Sequence, residues 1–431
     1  MDAHEKHFHL LAKPAGAACN LACTYCFFLS KENLYPDQSY LMDDATLEAH
    51  IRQLMESSPG PQVEVSWQGG EPMLRGLDFY RRVVRLTAEY RKPHQQVLHT
   101  IQTNGTLIDD EWALFFQENR FLVGVSIDGP PALHDIYRVN RKGGGSFDQV
   151  RRGWDLLQRH GVDANILCTV HAGNAGHPLE VYRFFRDELQ AQYSQLIPIV
   201  ERATEQTIQL ANQGWGGMKG KNRPLYRQEG SLVTSRSVSA DLFGAFLIAI
   251  FDEWVKCDVG RVYVTTFDVA LGSWLGQHNS CLVAPRCGAS LALEHNGDVY
   301  SCDHFVEPGH LLGNINEQPL KTLIASEQQR RFGDAKFDTL PDYCRQCPVL
   351  FACYGECPRN RFIRTPDGEM GLNYLCAGYK AFFTHIDGPM RAMAGLLRAG
   401  RHADEIMGEA APAGTSSDFT PAPPQPGAKC P

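Results

Sequence analysis

The sequence predicts an α/β chain, a partial TIM-like (β/α)6 barrel followed by a cysteine-rich domain. Three observations predict it. Six short β-rich stretches alternate with amphipathic helical patterns through the first half of the 431 residues. Three cysteines stand close together directly after the first of those stretches. Eight more cysteines fall between positions 281 and 376.

The β-rich stretches lie at 8–12, 63–67, 98–103, 121–127, 165–170 and 195–200. Helical periodicity fills the gaps at 43–55, 77–90, 109–118, 147–159 and 179–189, with Asp43 and Asp109 as N-caps. Repeated strand–helix units imply parallel strands joined by right-handed crossovers. Six units suit a partial barrel, since a complete one needs eight; an open doubly wound sheet is the alternative. A polar, Gly-containing excursion spans 204–235, and helices are expected at 240–256, 266–275 and 382–397. Asn296-Gly297 reads as a hairpin turn. The expected division is a barrel domain over 1–235, a helical connector over 236–276, a cysteine-rich domain over 277–400 and a disordered Ala/Pro/Gly-rich tail over 401–431.

Composition narrows the function. Hydrophobic residues make up 43% of the chain, enough for a core, and the net charge is −8. Such a balance lacks the basic field that holds a nucleic-acid backbone or an anionic membrane. The N-terminus carries no long apolar run, so no signal peptide is expected, and the apolar stretch 242–251 is too short to cross a bilayer. The expected location is the cytoplasm. Fourteen cysteines in that compartment point to metal or redox chemistry rather than to disulfides.

Cys19-Asn-Leu-Ala-Cys23-Thr-Tyr-Cys26 can wrap one metal centre. Four cysteines would close a [4Fe–4S] cluster; three leave one iron open for chemistry. The segment follows the first strand, so it belongs at the C-terminal end of the sheet, where such folds carry active sites. A zinc site short of a ligand is the plain alternative. Gly69-Gly70-Glu71-Pro72 ends the second strand and Thr103-Asn104-Gly105 the third; either can be an ordinary turn, or a place where backbone approaches a ligand. Ser126 stands at the tip of the fourth strand in SIDGP, and Arg138 follows in HDIYRVNR, where an arginine can clamp a carboxylate or form a surface ion pair. The later cysteines run Cys281, Cys287, Cys302, then Cys344, Cys347, Cys353, Cys357, then Cys376. Eight thiolates suffice for two closed [4Fe–4S] clusters or for two zinc sites. Cys168 and Cys257 fall outside these patterns and are expected in the core, and Cys430 as a free thiol in the tail.

The C-x3-C-x2-C spacing, with an aromatic before the last cysteine, resembles the radical S-adenosylmethionine superfamily. The second block resembles its SPASM extension at every cysteine. The whole arrangement is similar to the anaerobic sulfatase-maturating enzymes, most densely in SIDGP, HDIYR, GGGSFDQV and CGASLALEHNGDVYSCDHFVEPGHLLGNI. The resemblance implies three [4Fe–4S] clusters and S-adenosyl-L-methionine, which is opened to a 5′-deoxyadenosyl radical. It implies Cys19, Cys23 and Cys26 on the radical cluster. It places Cys281, Cys287, Cys302 and Cys357 on one auxiliary cluster and Cys344, Cys347, Cys353 and Cys376 on the other. It assigns cofactor contacts to Tyr25, Gly69, Gly70, Glu71, Ser126 and Arg138. Ile199 and Val200 stand at the tip of the sixth strand and either pack on the adenine or fill core. Asp303, next to Cys302, matches the proposed base; capping a turn is its ordinary alternative. The implied reaction oxidises a Cys or Ser of an unfolded or nascent sulfatase polypeptide, within a Cys/Ser-x-Pro/Ala-x-Arg motif, to Cα-formylglycine. The implied electron donor is a flavodoxin or ferredoxin. Another SPASM peptide modifier, forming a thioether or cross-link, is the second expectation. Such enzymes often carry an added N-terminal peptide-binding domain, for which no room is expected before Cys19. A non-catalytic metal scaffold is the third.

Overall fold

The computed structural model describes residues 8–36, 40–215 and 225–409. Six parallel strands form its centre: β1 (His9–Ala12), β2 (Gln62–Trp67), β3 (Gln96–Thr103), β4 (Phe121–Ser126), β5 (Ala164–Val170) and β6 (Tyr193–Pro198). They lie side by side in chain order. A doubly wound sheet would reverse its order at a switch point; this sheet does not, which is the progression of a barrel. Helices α1 (Asp44–Ser57), α2 (Leu77–Tyr90), α3 (Asp110–Glu118), α4 (Phe147–Arg159) and α5 (Pro178–Arg183) alternate with the strands, and α5 runs on into a π-helical turn over Phe184–Glu188. Asp43 and Asp109 cap α1 and α3, accepting from the amides of Thr46 (2.7 Å) and Trp112 (2.9 Å).

The sheet is longer than six strands. β7 (Tyr263–Val264) adds in parallel beyond β6. On the other flank β8 (Ser290–Leu293) pairs in parallel with β1, and β9 (Asp298–Tyr300) and β10 (Leu311–Asn314) follow antiparallel. The cysteine-rich half thus begins as an extension of the barrel sheet. The turn between β8 and β9 contains Asn296-Gly297, with Gly297 at φ +94°. A two-stranded ribbon, Arg202–Ala203 with Leu232–Val233, closes the base of the excursion.

Helices α6 (Ala240–Cys257) and α7 (Thr265–Trp274) fall where periodicity puts them. The helix expected at 382–397 is two helices, α8 (Cys376–His385) and α9 (Asp387–Arg398). Pro389 has no amide hydrogen to offer the carbonyl of His385, so the first helix ends at His385. The core lies between sheet and helices, with Val63, Val65 and Trp67 of β2 and Ile166, Cys168 and Val170 of β5 all buried. Cys168 is core, as expected; Cys257 is only half-buried at the end of α6. Cys430, the tail beyond 409 and 216–224 of the excursion lie outside the described residues. No described helix is long and apolar enough to cross a membrane.

Candidate active site

The loop after β1 carries Cys19, Cys23 and Cys26, and they pack together with Leu21, Tyr25, Tyr137 and Ile199. The β2 turn supports it from beneath. The amide of Gly70 donates to Gly16 O (2.8 Å) and that of Glu71 to Ala18 O (2.7 Å). A Cβ on Gly70 would lie 2.0 Å from Ala18 O, so only glycine allows this approach. The close approach that Gly70 makes in this structure is to the residues leading into the cysteine loop.

Glu71 is fully buried, and its carboxylate accepts from the Met73 amide (3.0 Å), the Thr103 hydroxyl (2.8 Å) and the Asn104 amide (2.8 Å). Burial pushes its pKa up to about 7, against the pull of those three donors. The side chain locks the β3 turn to the β2 turn. Asn104, so placed, directs its amide at Asn20 Oδ1 (2.8 Å) and Cys19 Sγ (3.7 Å).

Arg138 is not on the surface. It is 7% exposed and forks onto the buried carboxylate of Asp128 through Nε (2.8 Å) and Nη2 (3.1 Å). Asp128 also accepts from the Tyr25 hydroxyl (2.6 Å) and the Thr169 amide (2.8 Å). Burial would raise Asp128, but Arg138, His171 and His134 outweigh it and hold its carboxyl below the ordinary range. This ion pair ties Tyr25, between two of the cysteines, to β4 and β5. Ser126, at the tip of β4, accepts from Gln102 (3.1 Å). Ile199 faces the cysteine loop, whereas Val200 sits in the main core. The excursion reaches the same loop, because the Trp215 amide donates to Thr24 O (2.8 Å).

Without a metal, burial keeps these thiols protonated. Burial raises Cys19 and pushes Cys23 up to about 12, although Arg138 opposes the shift at Cys23. A buried thiolate without a countercharge is costly, and a metal cation supplies that charge. In the second block, Cys344, Cys347, Cys353 and Cys376 line one small cavity with Leu350, Tyr379 and Lys380. In the other neighbourhood Cys281 lies within electrostatic reach of Cys287, Cys302 and Cys357, and Cys302 within reach of Cys357. Burial pushes Cys353 and Cys357 up to about 12 and Cys376 to about 11. Among the described residues, no three His, Cys, Asp or Glu side chains stand close enough together to hold a single metal ion.

Asp303 follows Cys302 beyond β9. Its carboxylate receives the ammonium of Lys13, the residue immediately after β1. Burial alone would raise its pKa, but Lys13 and His304 outweigh it and hold it below the usual carboxylate range. The sequence reading missed Lys13 and Asp128. Asp128 lies inside the SIDGP match and was legible as part of it; Lys13 has no local signal, because its partner is 290 positions away.

Two family models match: the Radical SAM superfamily over residues 14–185 and the iron-sulfur cluster-binding SPASM domain over 281–348. A serine-type anaerobic sulfatase-maturating enzyme of Bacteroides thetaiotaomicron is 46% identical over 385 residues, covering 88% of this chain and 90% of that protein. A cysteine-type anaerobic sulfatase-maturating enzyme of Clostridium perfringens is 33% identical over 380 residues, covering 87% and 95%. The solved structure of native anSMEcpe with bound AdoMet and Cp18Cys peptide superposes with a TM-score of 0.76 at 31% identity, covering 90% of this chain and 99% of that one. With its triple-cysteine loop at the C-terminal end of a parallel sheet and eight further cysteines in two neighbourhoods, the chain belongs to the anaerobic sulfatase-maturating enzymes of the radical S-adenosylmethionine superfamily.

Proposed function

We propose that this chain oxidises a Cys or Ser of an unfolded or nascent sulfatase polypeptide to Cα-formylglycine, in the cytoplasm and without oxygen, with a flavodoxin or ferredoxin as electron donor. One observation carries the reading. Asp303, next to Cys302, receives the ammonium of Lys13, the residue between β1 and the triple-cysteine loop, which supports radical generation and proton removal at neighbouring positions. When bound, the radical [4Fe–4S] cluster and S-adenosylmethionine supply a carbon radical that takes hydrogen, and the auxiliary clusters supply an acceptor for one electron.

The chain's residues do the rest. Cys19, Cys23 and Cys26 would hold the radical cluster. Tyr25, Gly69, Gly70, Ser126, Arg138 and Ile199 would surround the cofactor, with Glu71 fixing the turns beside it. Val200, in the core, backs this wall. Cys281, Cys287, Cys302 and Cys357 hold one auxiliary cluster; Cys344, Cys347, Cys353 and Cys376 hold the other. Asp303, ionised, accepts the proton of the substrate thiol or hydroxyl once the Cβ hydrogen is gone. The substrate loses one hydrogen atom, one proton and one electron in total, a two-electron oxidation. Serine becomes the aldehyde directly; cysteine becomes a thioaldehyde, which water converts to the aldehyde with release of hydrogen sulfide.

Two measurements test the proposal. Anaerobic reconstitution should load about twelve iron atoms per chain, from three four-iron clusters; about four would remove the auxiliary clusters from the reading. Incubation with S-adenosylmethionine, a reductant and peptides bearing Cys-x-Pro-x-Arg or Ser-x-Pro-x-Arg should change the peptide mass. Serine should lose two hydrogens; cysteine should exchange sulfur and two hydrogens for oxygen. An unchanged mass, with 5′-deoxyadenosine still formed, would move the enzyme to another substrate.

A further inference from the structure

Lys13 is a lysine with almost no access to solvent at the junction of the two halves of the molecule. Its side chain is 1% exposed, while that of its partner Asp303 is 26% exposed. A hidden ammonium thus holds a reachable carboxylate. Its own position is fixed from several sides. The Lys13 amide donates to Leu293 O of β8 (2.9 Å), and its carbonyl accepts from the Gly16 amide (3.1 Å). The ammonium lies 3.8 Å from the centre of the Phe28 ring, just past Cys26. Gly69 makes room for it. At φ +129° that residue adopts a backbone that L side chains rarely take, and a Cβ there would lie 3.2 Å from Lys13 Cβ.

An exposed lysine would add little to a carboxylate beyond salt-screened attraction. A buried and anchored one fixes a direction. It grips Oδ1 of Asp303 and leaves Oδ2 for another partner. The same residue touches the segment that follows the triple-cysteine loop, through Phe28, and β8, the neighbour of the strand that leads to Asp303, through Leu293.

We propose that Lys13 is a positioning residue for formylglycine formation, fixing Asp303 Oδ2 toward the substrate's thiol or hydroxyl and in register with the radical site. The inference rests on the reading of Asp303 as the base. Its signature is uncoupling: with the carboxylate free to swing, the cofactor is still cleaved but fewer cleavages end in product. A displacement of about 1 Å at a reacting group can cost roughly a hundredfold.

The test uses the reconstituted holoenzyme with S-adenosylmethionine, a reductant and the substrate peptide, comparing Lys13→Met, Asp303→Asn and the double variant. Iron per chain, 5′-deoxyadenosine and formylglycine are measured together. Lys13→Met should keep its iron and its cofactor cleavage, while deoxyadenosine released per formylglycine rises about tenfold or more. In the Asp303→Asn background it should add nothing further, since both changes act on one group. An unchanged ratio overturns the proposal, as does an effect that adds fully to that of Asp303→Asn. Loss of iron with both products falling together also overturns it, because Lys13 would then only support the fold. If Asp303→Asn stays coupled, the reading of the base fails; if it uncouples while Lys13→Met does not, only the role of Lys13 fails.

Discussion

Replacing Cys23 by alanine should abolish release of 5′-deoxyadenosine while leaving most of the iron in place. Cys23 is the middle cysteine of the triplet and 8% exposed. The Arg138–Asp128 pair lies close enough to act on its charge, and Tyr25 is tied to the same aspartate. Without this sulfur two protein ligands remain for the radical cluster, and a cluster so held is expected to be lost. The auxiliary cysteines sit in a separate part of the chain, so about two thirds of the iron should persist. That remainder distinguishes a local loss from a misfolded protein. Chromatography of the products after anaerobic incubation with S-adenosylmethionine and a reductant reads the first quantity, and an iron assay the second. Deoxyadenosine at the normal yield from this variant would refute the radical site.

The reading from residues recovered what is local and periodic. The six strands follow from β-rich runs at a regular interval, and the caps at Asp43 and Asp109 from single residues ahead of amphipathic stretches. Cysteine spacing carried the triplet at 19–26, because residues that close in sequence must be close in space, whereas the division of the later eight came from the family resemblance. Long-range pairing was hidden. Nothing in residues 290–300 shows that they add to the sheet beside β1, 280 positions earlier, since a short strand does not reveal its neighbour. Arg138 illustrates the same limit. Its type fits a carboxylate clamp, but the carboxylate it grips in the structure is Asp128 of the chain itself, and both engaged donors are committed there. Glu71 likewise spends its oxygens on the β2 and β3 turns. In both cases residue type and position announce a polar partner but do not say which group of the chain it will be.

Asp303→Asn should separate the two halves of the reaction. Asparagine keeps the size and planarity of aspartate and can still accept from Lys13 through its oxygen, so the junction between β1 and the segment beyond β9 should survive. It cannot take up a proton. Formylglycine should fall by roughly 10²- to 10⁴-fold, the usual contribution of a general base, while deoxyadenosine continues to appear. The depressed pKa of Asp303 is compatible with this role. Removing the Cβ hydrogen acidifies the adjacent thiol or hydroxyl, so a weak base suffices provided it is ionised and in place. Because the shift is downward, the carboxylate stays charged throughout the neutral range, and the base requirement should appear only as pH falls below the ordinary carboxylate range. Full product from Asp303→Asn would return Asp303 to being a partner of Lys13 that closes the junction. The proton would then have to leave to solvent or to another group, and the link between this carboxylate and the chemistry would be gone.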